Sequence, residues 1–453
     1  MTTTTQLYDI YLKHPVISTD TRKIVPGSLF FALKGDKFDA NTFAQKAVEA
    51  GAAYAVIDNA EYQLGEQYLL VEDVLTTLQD LARYHRRQLD IPVIGLTGTN
   101  GKTTTKELIN AVLSQHFKTQ ATQGNLNNHI GVPLTILTID ASHEVAVIEM
   151  GANHQKEIEL LCSIAQPSLG LITNVGKAHL EGFGGVEGVK KGKGELYDFM
   201  ATPPPPPKGG AYRHDGITFV NSDDTVLMEM AAARRLPHVE YYGTDAIDNL
   251  ISGELLENSP LLTLGWTNNK TGDSYQVKTQ LTGTYNLPNI LVAICIGTYL
   301  GLPANEINAG IEGYQPKNNR SQIVQTATNT LICDYYNANP SSMFVAIENV
   351  GKIEAKRKVL ILGDMFEMGP EAAVEHASVI RKAMDTAVDE RIFIGKDFLG
   401  ASQSMDHGPL TMDKFYETAE DAIAALKAQP ITNSTILIKG SRGMALERLV
   451  ELF

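Results

Sequence analysis

A short apolar run, Val93-Ile94-Gly95-Leu96-Thr97, leads straight into Gly98-Thr99-Asn100-Gly101-Lys102-Thr103-Thr104, and a helical pattern starts near Thr103. Strand, glycine-rich turn and helix in direct succession is the setting in which such a motif binds phosphate. Glycines let the backbone turn tightly and aim successive N–H groups inward, where phosphate oxygens can accept them. The helix N-terminus adds its dipole and Lys102 a point charge. The Thr103 hydroxyl stands where such loops ligand Mg²⁺. The general pattern places four residues between its glycines, whereas here only Thr99 and Asn100 separate Gly98 from Gly101, and Leu96 stands where a glycine is usual. The segment reads as an ATP or GTP site with a shortened loop.

From Pro92 onward, short apolar runs alternate with helical patterns: Val93 to Thr97, Val145 to Met150 and Leu169 to Val175. That alternation predicts a parallel sheet covered on both faces. Before it, Leu29 to Leu33 and Tyr54 to Ile57 read as strands, with helices over Thr42 to Ala50 and Leu78 to Leu89. Asp90-Ile91-Pro92 closes the second helix, because proline cannot continue one. A second boundary falls at Gly313-Tyr314-Gln315-Pro316. Beyond it Thr330 to Cys333, Lys358 to Leu362, Arg391 to Ile394 and Thr435 to Ile438 read as strands of a further α/β unit, with a helix over Glu420 to Lys427. The expected organisation is three α/β domains, 1–90, 91–315 and 316–453. The run Pro203 to Pro207 reads as an extended surface loop.

Composition narrows what such a chain does. At 453 residues it is long enough for about three domains. Its three cysteines, Cys162, Cys295 and Cys333, are far apart and form no CxxC pair, which argues against a disulfide framework or a cysteine-rich zinc site. Lysine and arginine number 38 against 52 acidic residues, a net charge of −14, so no nucleic-acid partner is expected. No apolar stretch is long enough to span a membrane, and Met1 to Ile10 lacks the marks of a signal peptide. A cytoplasmic, soluble monomer without membrane insertion is expected.

Other residues are open to more than one reading from the sequence alone. Glu149 and His179 follow strand ends, where α/β proteins bind ligands; the glutamate suits Mg²⁺, while the histidine reads more readily as structural. The lysines of Gly188 to Phe199 (GVKKGKGELYDF) read as a solvated basic face. Asn286 and Asn289, like Asn125, Asn127 and Asn128, suit turns and helix caps as well as ligands. Arg22 can grip a phosphate bidentately or make a surface ion pair. Lys439 and Arg442 are open to phosphate or carboxylate contacts, or to ordinary surface roles.

Longer segments add a family resemblance. GTNGKTTTK, GNLNNHIGVPLTIL (124–137), VIEMGAN (147–153), ITNVGKAHLEGFGG (172–185), KGELY (193–197), NSDD (221–224), DYYNANPSSM (334–343), LGDMFEMG (362–369) and KGSRGMALE (439–447) together resemble the Mur ligases, relatives of folylpolyglutamate synthetases. The resemblance runs from about Ser18 to Glu447. It implies an N-terminal UDP-sugar-binding domain (1–90), a central ATPase (91–315) and a C-terminal Rossmann-like domain that closes on the site (316–453). It also implies an ATP-dependent amide ligase of peptidoglycan precursor synthesis. In that chemistry ATP phosphorylates the terminal carboxylate of UDP-N-acetylmuramoyl-tripeptide, and the amine of D-alanyl-D-alanine attacks the acyl phosphate.

By the same resemblance, Gly98 to Thr104, Asn286, Asn289, Arg320 and Asp334 bind ATP. Ser18, Thr21, Arg22, Lys34, Gly35, Asn125, Asn127 and Asn128 bind the UDP-substrate, and Asn337 and Asn339 hold the dipeptide. Thr103, Glu149, His179 and a CO₂-derived carbamate on Lys193 ligand Mg²⁺, two ions in all, with Lys102, His179 and Lys193 counted as catalytic. The sequence departs from the family's usual residues at Thr21, Tyr285 and Phe38-Asp39-Ala40-Asn41. Addition of a single amino acid, or a nucleotide switch that joins nothing, are the competing functions.

Overall fold

A computed structural model describes every residue except 36, 203–215, 246–247, 259–260, 318 and 406–412; the proline run therefore lies outside the described residues. Three principal sheets follow one another along the chain. The first holds four parallel strands in the order Ile17–Ser18, Leu29–Phe31, Tyr54–Ile57, Tyr68–Leu70. The expected strand at Leu29 to Leu33 is thus shorter, and Thr42 to Ala50 resolves into a 3₁₀ turn, Ala40–Phe43, and a helix, Ala44–Glu49. The helix expected from Leu78 starts earlier, at Val74, because the Asp73 carboxylate accepts the Thr76 N–H and caps it.

The second sheet has nine strands, and Val93–Thr97 pairs in parallel with Leu169–Ile172 on one side and Val145–Glu149 on the other. All three are buried along their length. The run Leu169 to Val175 stops as strand at Ile172, and Thr173 to Gly176 instead hydrogen-bonds to the phosphate loop. One edge departs from the expected all-parallel sheet: Asn249–Glu257, Thr263–Asn268 and Asp273–Lys278 form an antiparallel meander. The third sheet has six strands, parallel except for the edge pair Gln322–Gln325 and Thr330–Asp334.

Cores and chain segments do not divide in the same way. One continuous apolar cluster takes in Leu7, Leu29, Val74 and Leu81 together with Val132, Ile148, Leu161 and Leu196. The first sheet is therefore packed onto the second through a shared interior. Arg86 lies wholly within it, donating to the carbonyls of Ala165 (2.9 Å) and Leu89 (3.0 Å). The third sheet keeps apolar clusters of its own on its two faces. It meets the second sheet through polar side chains around the phosphate loop.

Candidate active site

The phosphate loop is held from below by the segment after Ile172. Thr99 N–H donates to the Asn174 carbonyl (3.0 Å), Asn100 N–H to its side-chain oxygen (3.0 Å), and the Thr173 hydroxyl to the Asn100 carbonyl (2.6 Å). Gly98 (φ 148°) and Gly101 (φ 78°) adopt backbone that side chains disfavour. A Cβ at Gly98 would lie 2.0 Å from Thr173 Oγ1, so the loop tolerates no side chain there. The helix Lys102–Leu113 begins at Gly101 with no side-chain cap, leaving its first N–H groups for an anion. Lys102 Nζ folds back onto the carbonyls of Gly98 (2.8 Å) and Thr99 (3.0 Å). Burial pushes its ammonium down to about 8, opposed by Glu149 and assisted by Arg320.

Above the loop lies a cavity of about 940 Å³, ample for a nucleotide with part of a second substrate. Glu149, 1% exposed, ends its strand at the floor. Its Oε1 accepts from Asn127 Nδ2 (2.8 Å) and the Thr103 hydroxyl (3.2 Å), while Oε2 is buried with no hydrogen-bond partner. An unpartnered carboxylate oxygen beside a loop threonine is a donor set that fits a hard divalent cation. His179, at φ 51°, also faces the cavity and hydrogen-bonds the Glu367 carboxylate through Nδ1. Burial lowers its pKa, with Glu367 acting against this and Lys102 with it.

The lysine-rich helix Val186–Ala201 discriminates among its three candidates. Lys191 is exposed and Lys190 lies 3.5 Å from Glu229. Lys193 is 2% exposed, donates to the Ala152 carbonyl at 3.1 Å and sits 5.1 Å from the Phe183 ring centre. Burial and the charge of Lys102 hold its amine well below the ordinary lysine range. Lys193 backs the cavity without forming part of its surface.

The remaining candidates separate into two places. Asn125, Asn127, Asn128, Asn286, Asn289, Arg320, Asp334, Asn337 and Asn339 all line the same cavity as Thr99 to Thr104. Several also hold structure: Asn289 links the Thr105 hydroxyl (3.0 Å) to Asn286 (3.0 Å), and Asn128 Oδ1 accepts the Gly131 N–H (2.9 Å). Asp334 pairs with Lys439 at 2.7 Å. Ser18, Thr21, Arg22, Lys34 and Gly35 lie in the first sheet's domain and are not brought to this cavity. There Arg22 grips Asp20 through two nitrogens (2.9 and 2.7 Å), and Lys34 pairs with Asp58 at 2.8 Å.

Sequence reasoning passed over Lys177, Ser341, Glu367 and Glu375, which help to seat the third domain on the second. Lys177 Nζ meets Glu375 at 2.7 Å, the Lys177 N–H donates to Ser341 Oγ (3.1 Å), and Glu367 reaches His179. These links join residues far apart in the chain, so local pattern carries no trace of them. One further cluster, Asp364, His376 and Asp397, has ligand-type atoms close together. Asp364 accepts the N–H groups of Asp397 (3.1 Å) and Phe398 (3.0 Å), capping the helix Lys396–Gln403. His376 Nε2 accepts the Met365 N–H (3.0 Å) while Nδ1 faces the Ala372 carbonyl (2.7 Å). Both imidazole nitrogens are thus engaged, and the cluster reads as a helix cap.

A phosphate loop under a cavity shared by two α/β bodies defines a nucleotide-dependent enzyme that works between domains. Comparison with known proteins makes this specific. Residues 15–86 match the model "Mur ligase family, catalytic domain", 96–297 the "Mur ligase middle domain" and 319–442 "Mur ligase, glutamate ligase domain". The UDP-N-acetylmuramoyl-tripeptide–D-alanyl-D-alanine ligase of Escherichia coli is 34% identical over 96% of this chain and 92% of that one. Its Bacillus subtilis counterpart is 32% identical over the same shares. Among solved structures, a MurF from Acinetobacter baumannii superposes with a TM-score of 0.85 at 29% identity, covering 99% of this chain and 98% of that one. The ADP complex of Thermotoga maritima MurF shares the fold, with a TM-score of 0.83 at 23% identity and 98% of each chain covered. The chain belongs to the Mur ligase family, and it is an ATP-dependent ligase that forms an amide bond. No helix among the described residues is long and apolar enough to cross a membrane.

Proposed function

We propose that the chain joins D-alanyl-D-alanine to UDP-N-acetylmuramoyl-tripeptide, with ATP supplying the leaving group. The observation that carries this reading is a single cavity that gathers Lys102 and Thr103 from the phosphate loop, Asn127 beside Glu149, and Asn337 and Asn339 from the third domain. Nucleotide, acid and amine substrates need to meet at one place for an acyl phosphate to be captured before water reaches it. Lys102 and the uncapped N–H groups at the start of Lys102–Leu113 hold and polarise the phosphates as charge develops on them. Neutral amides at 337 and 339 can donate to a dipeptide carboxylate while leaving its amine free to attack. The UDP end is assigned to Ser18, Thr21, Arg22, Lys34 and Gly35, where a phosphate would replace Asp20 as the partner of Arg22.

Magnesium fits the orphaned Oε2 of Glu149 beside Thr103, with His179 on the same cavity wall. When bound it would supply positive charge to the phosphate oxygens. Lys193 is assigned a carbamate, for which a buried amine with a depressed pKa is suited, since only the unprotonated form attacks CO₂. Three units with limits near 90 and 315 are the working parts. The test is product formation. ADP release should require UDP-muramoyl-tripeptide and D-alanyl-D-alanine together, and glutamate or diaminopimelate should not replace the dipeptide. ADP release at full rate with either substrate missing would overturn the assignment.

A further inference from the structure

Arg320 has an unusual setting for a charged residue at a domain junction. Its Nε is buried without a hydrogen-bond partner, and it has no carboxylate within ion-pair distance among the described residues. What it does have is the ring of Tyr336, whose centre lies 3.8 Å from the guanidinium carbon. A second guanidinium, Arg442, approaches the same ring at 5.3 Å. Both distances fall within cation–π range. The neighbouring cation, Lys439, is already neutralised by Asp334. Among the described residues neither arginine has an ion-pair partner, and the Tyr336 ring is the group that both approach.

The backbone around Arg320 points the same way. Asn319 (φ 59°) and Ser321 (φ 51°) flank it in left-handed conformations that non-glycine residues rarely adopt. Three contacts hold this strained turn: Ser321 N–H to Asp334 Oδ1 (3.2 Å), a hydrogen bond between the Tyr285 and Ser321 hydroxyls (2.6 Å) and Tyr336 N–H to the Asn319 carbonyl (3.3 Å). Tyr336 therefore fixes both the main chain and the side chain of the arginine, and both residues face the cavity.

We infer that Tyr336 is a positioning residue that presents Arg320 to the nucleotide phosphates, using its ring face in place of a carboxylate. A carboxylate partner would hold the guanidinium equally well but would cancel its charge; an aromatic face steadies the cation and leaves it available to an anion. This inference rests on the nucleotide reading of the cavity.

The test measures binding of a non-hydrolysable ATP analogue with Mg²⁺ to the full chain by calorimetry. Arg320→Ala should weaken binding about tenfold, the scale of one charge-assisted contact. Tyr336→Phe should stay within about twofold of the parent, and Tyr336→Leu should lose about three- to tenfold, no more than the loss of the arginine it positions. In an Arg320→Ala background, Tyr336→Leu should cost nothing further. A second series, with fluorinated phenylalanines at 336, keeps the ring's shape while draining its negative face. Affinity should fall stepwise with fluorination even if the leucine variant folds poorly. Additive losses in the double variant, or affinity indifferent to fluorination, would overturn the inference. Arg320→Ala binding as tightly as the parent would instead fault the placement of the nucleotide.

Discussion

Asn339 donates its side-chain amide to Asn100 Oδ1 at 2.8 Å, tying the first turn of the helix Pro340–Lys352 to the tip of the phosphate loop 239 positions earlier. The same asparagine caps its own helix, with Oδ1 accepting the Ser342 N–H at 2.9 Å. Two substitutions separate these duties. Asn339→Asp keeps the cap but turns the donor into an acceptor, so thermal stability should stay close to the parent while turnover falls. Asn339→Ala loses both and should cost about 1 kcal/mol of stability in addition. Equal turnover in the aspartate variant and the parent, measured by ADP release, would show that the interdomain contact is idle.

Lys102→Ala should lower turnover by about 10²–10³-fold, the scale for removing one preorganised charge from a transferring group. The stability loss should be small, because only the two carbonyl contacts at Gly98 and Thr99 go with it. Steady-state kinetics beside a melting curve check both halves.

For Lys193, labelling with ¹³C-bicarbonate should give a carbamate resonance that vanishes in Lys193→Arg and persists in Lys190→Arg and Lys191→Arg. Burial decides the choice among the three: of these lysines it is Lys193 that is buried, and desolvation there disfavours the charged amine. Retention of the signal in Lys193→Arg would send the carbamate elsewhere.

His85 offers a pH test away from the cavity. It is buried, with Nε2 facing the Ile139 carbonyl at 2.7 Å, and burial holds its pKa below the ordinary 6.5. The unfolded chain takes up this proton near 6.5 and the folded chain only at lower pH. Its contribution is thus complete above 6.5 and is lost as the pH falls from there toward the folded value. In His85→Gln the denaturant midpoint should drop less between pH 7 and pH 5 than in the parent. Parallel pH profiles for the two proteins would count against this.

The parts of this fold that were readable in the sequence are those that local chemistry dictates. Val93–Thr97, the turn at Gly98 to Gly101 and the helix after it each follow from an apolar run, two closely spaced glycines and a helical pattern starting near Thr103. The meander Asn249–Asn268–Lys278 was not readable, because polar and apolar residues mix along its half-exposed edge strands. Lys193 lay between the two. It shares a helix face with Val189, Leu196, Tyr197 and Met200, and that 3.6-residue spacing separates it from Lys190 and Lys191 without any structure. Glu367, Glu375 and Tyr336 had no such signal, since their partners are brought near only by tertiary folding.

The shared apolar interior of the first two sheets has a thermodynamic consequence. Heat cannot expose the inner face around Leu29 and Leu81 without stripping Val132 and Leu161 of their neighbours, and Arg86 would leave the Ala165 carbonyl unpaired. The third sheet, with separate interiors and a polar seam, loses little when it detaches. Scanning calorimetry should therefore resolve two cooperative transitions where three folding units are counted along the chain. A saturating ATP analogue bound across the seam should draw those two transitions together.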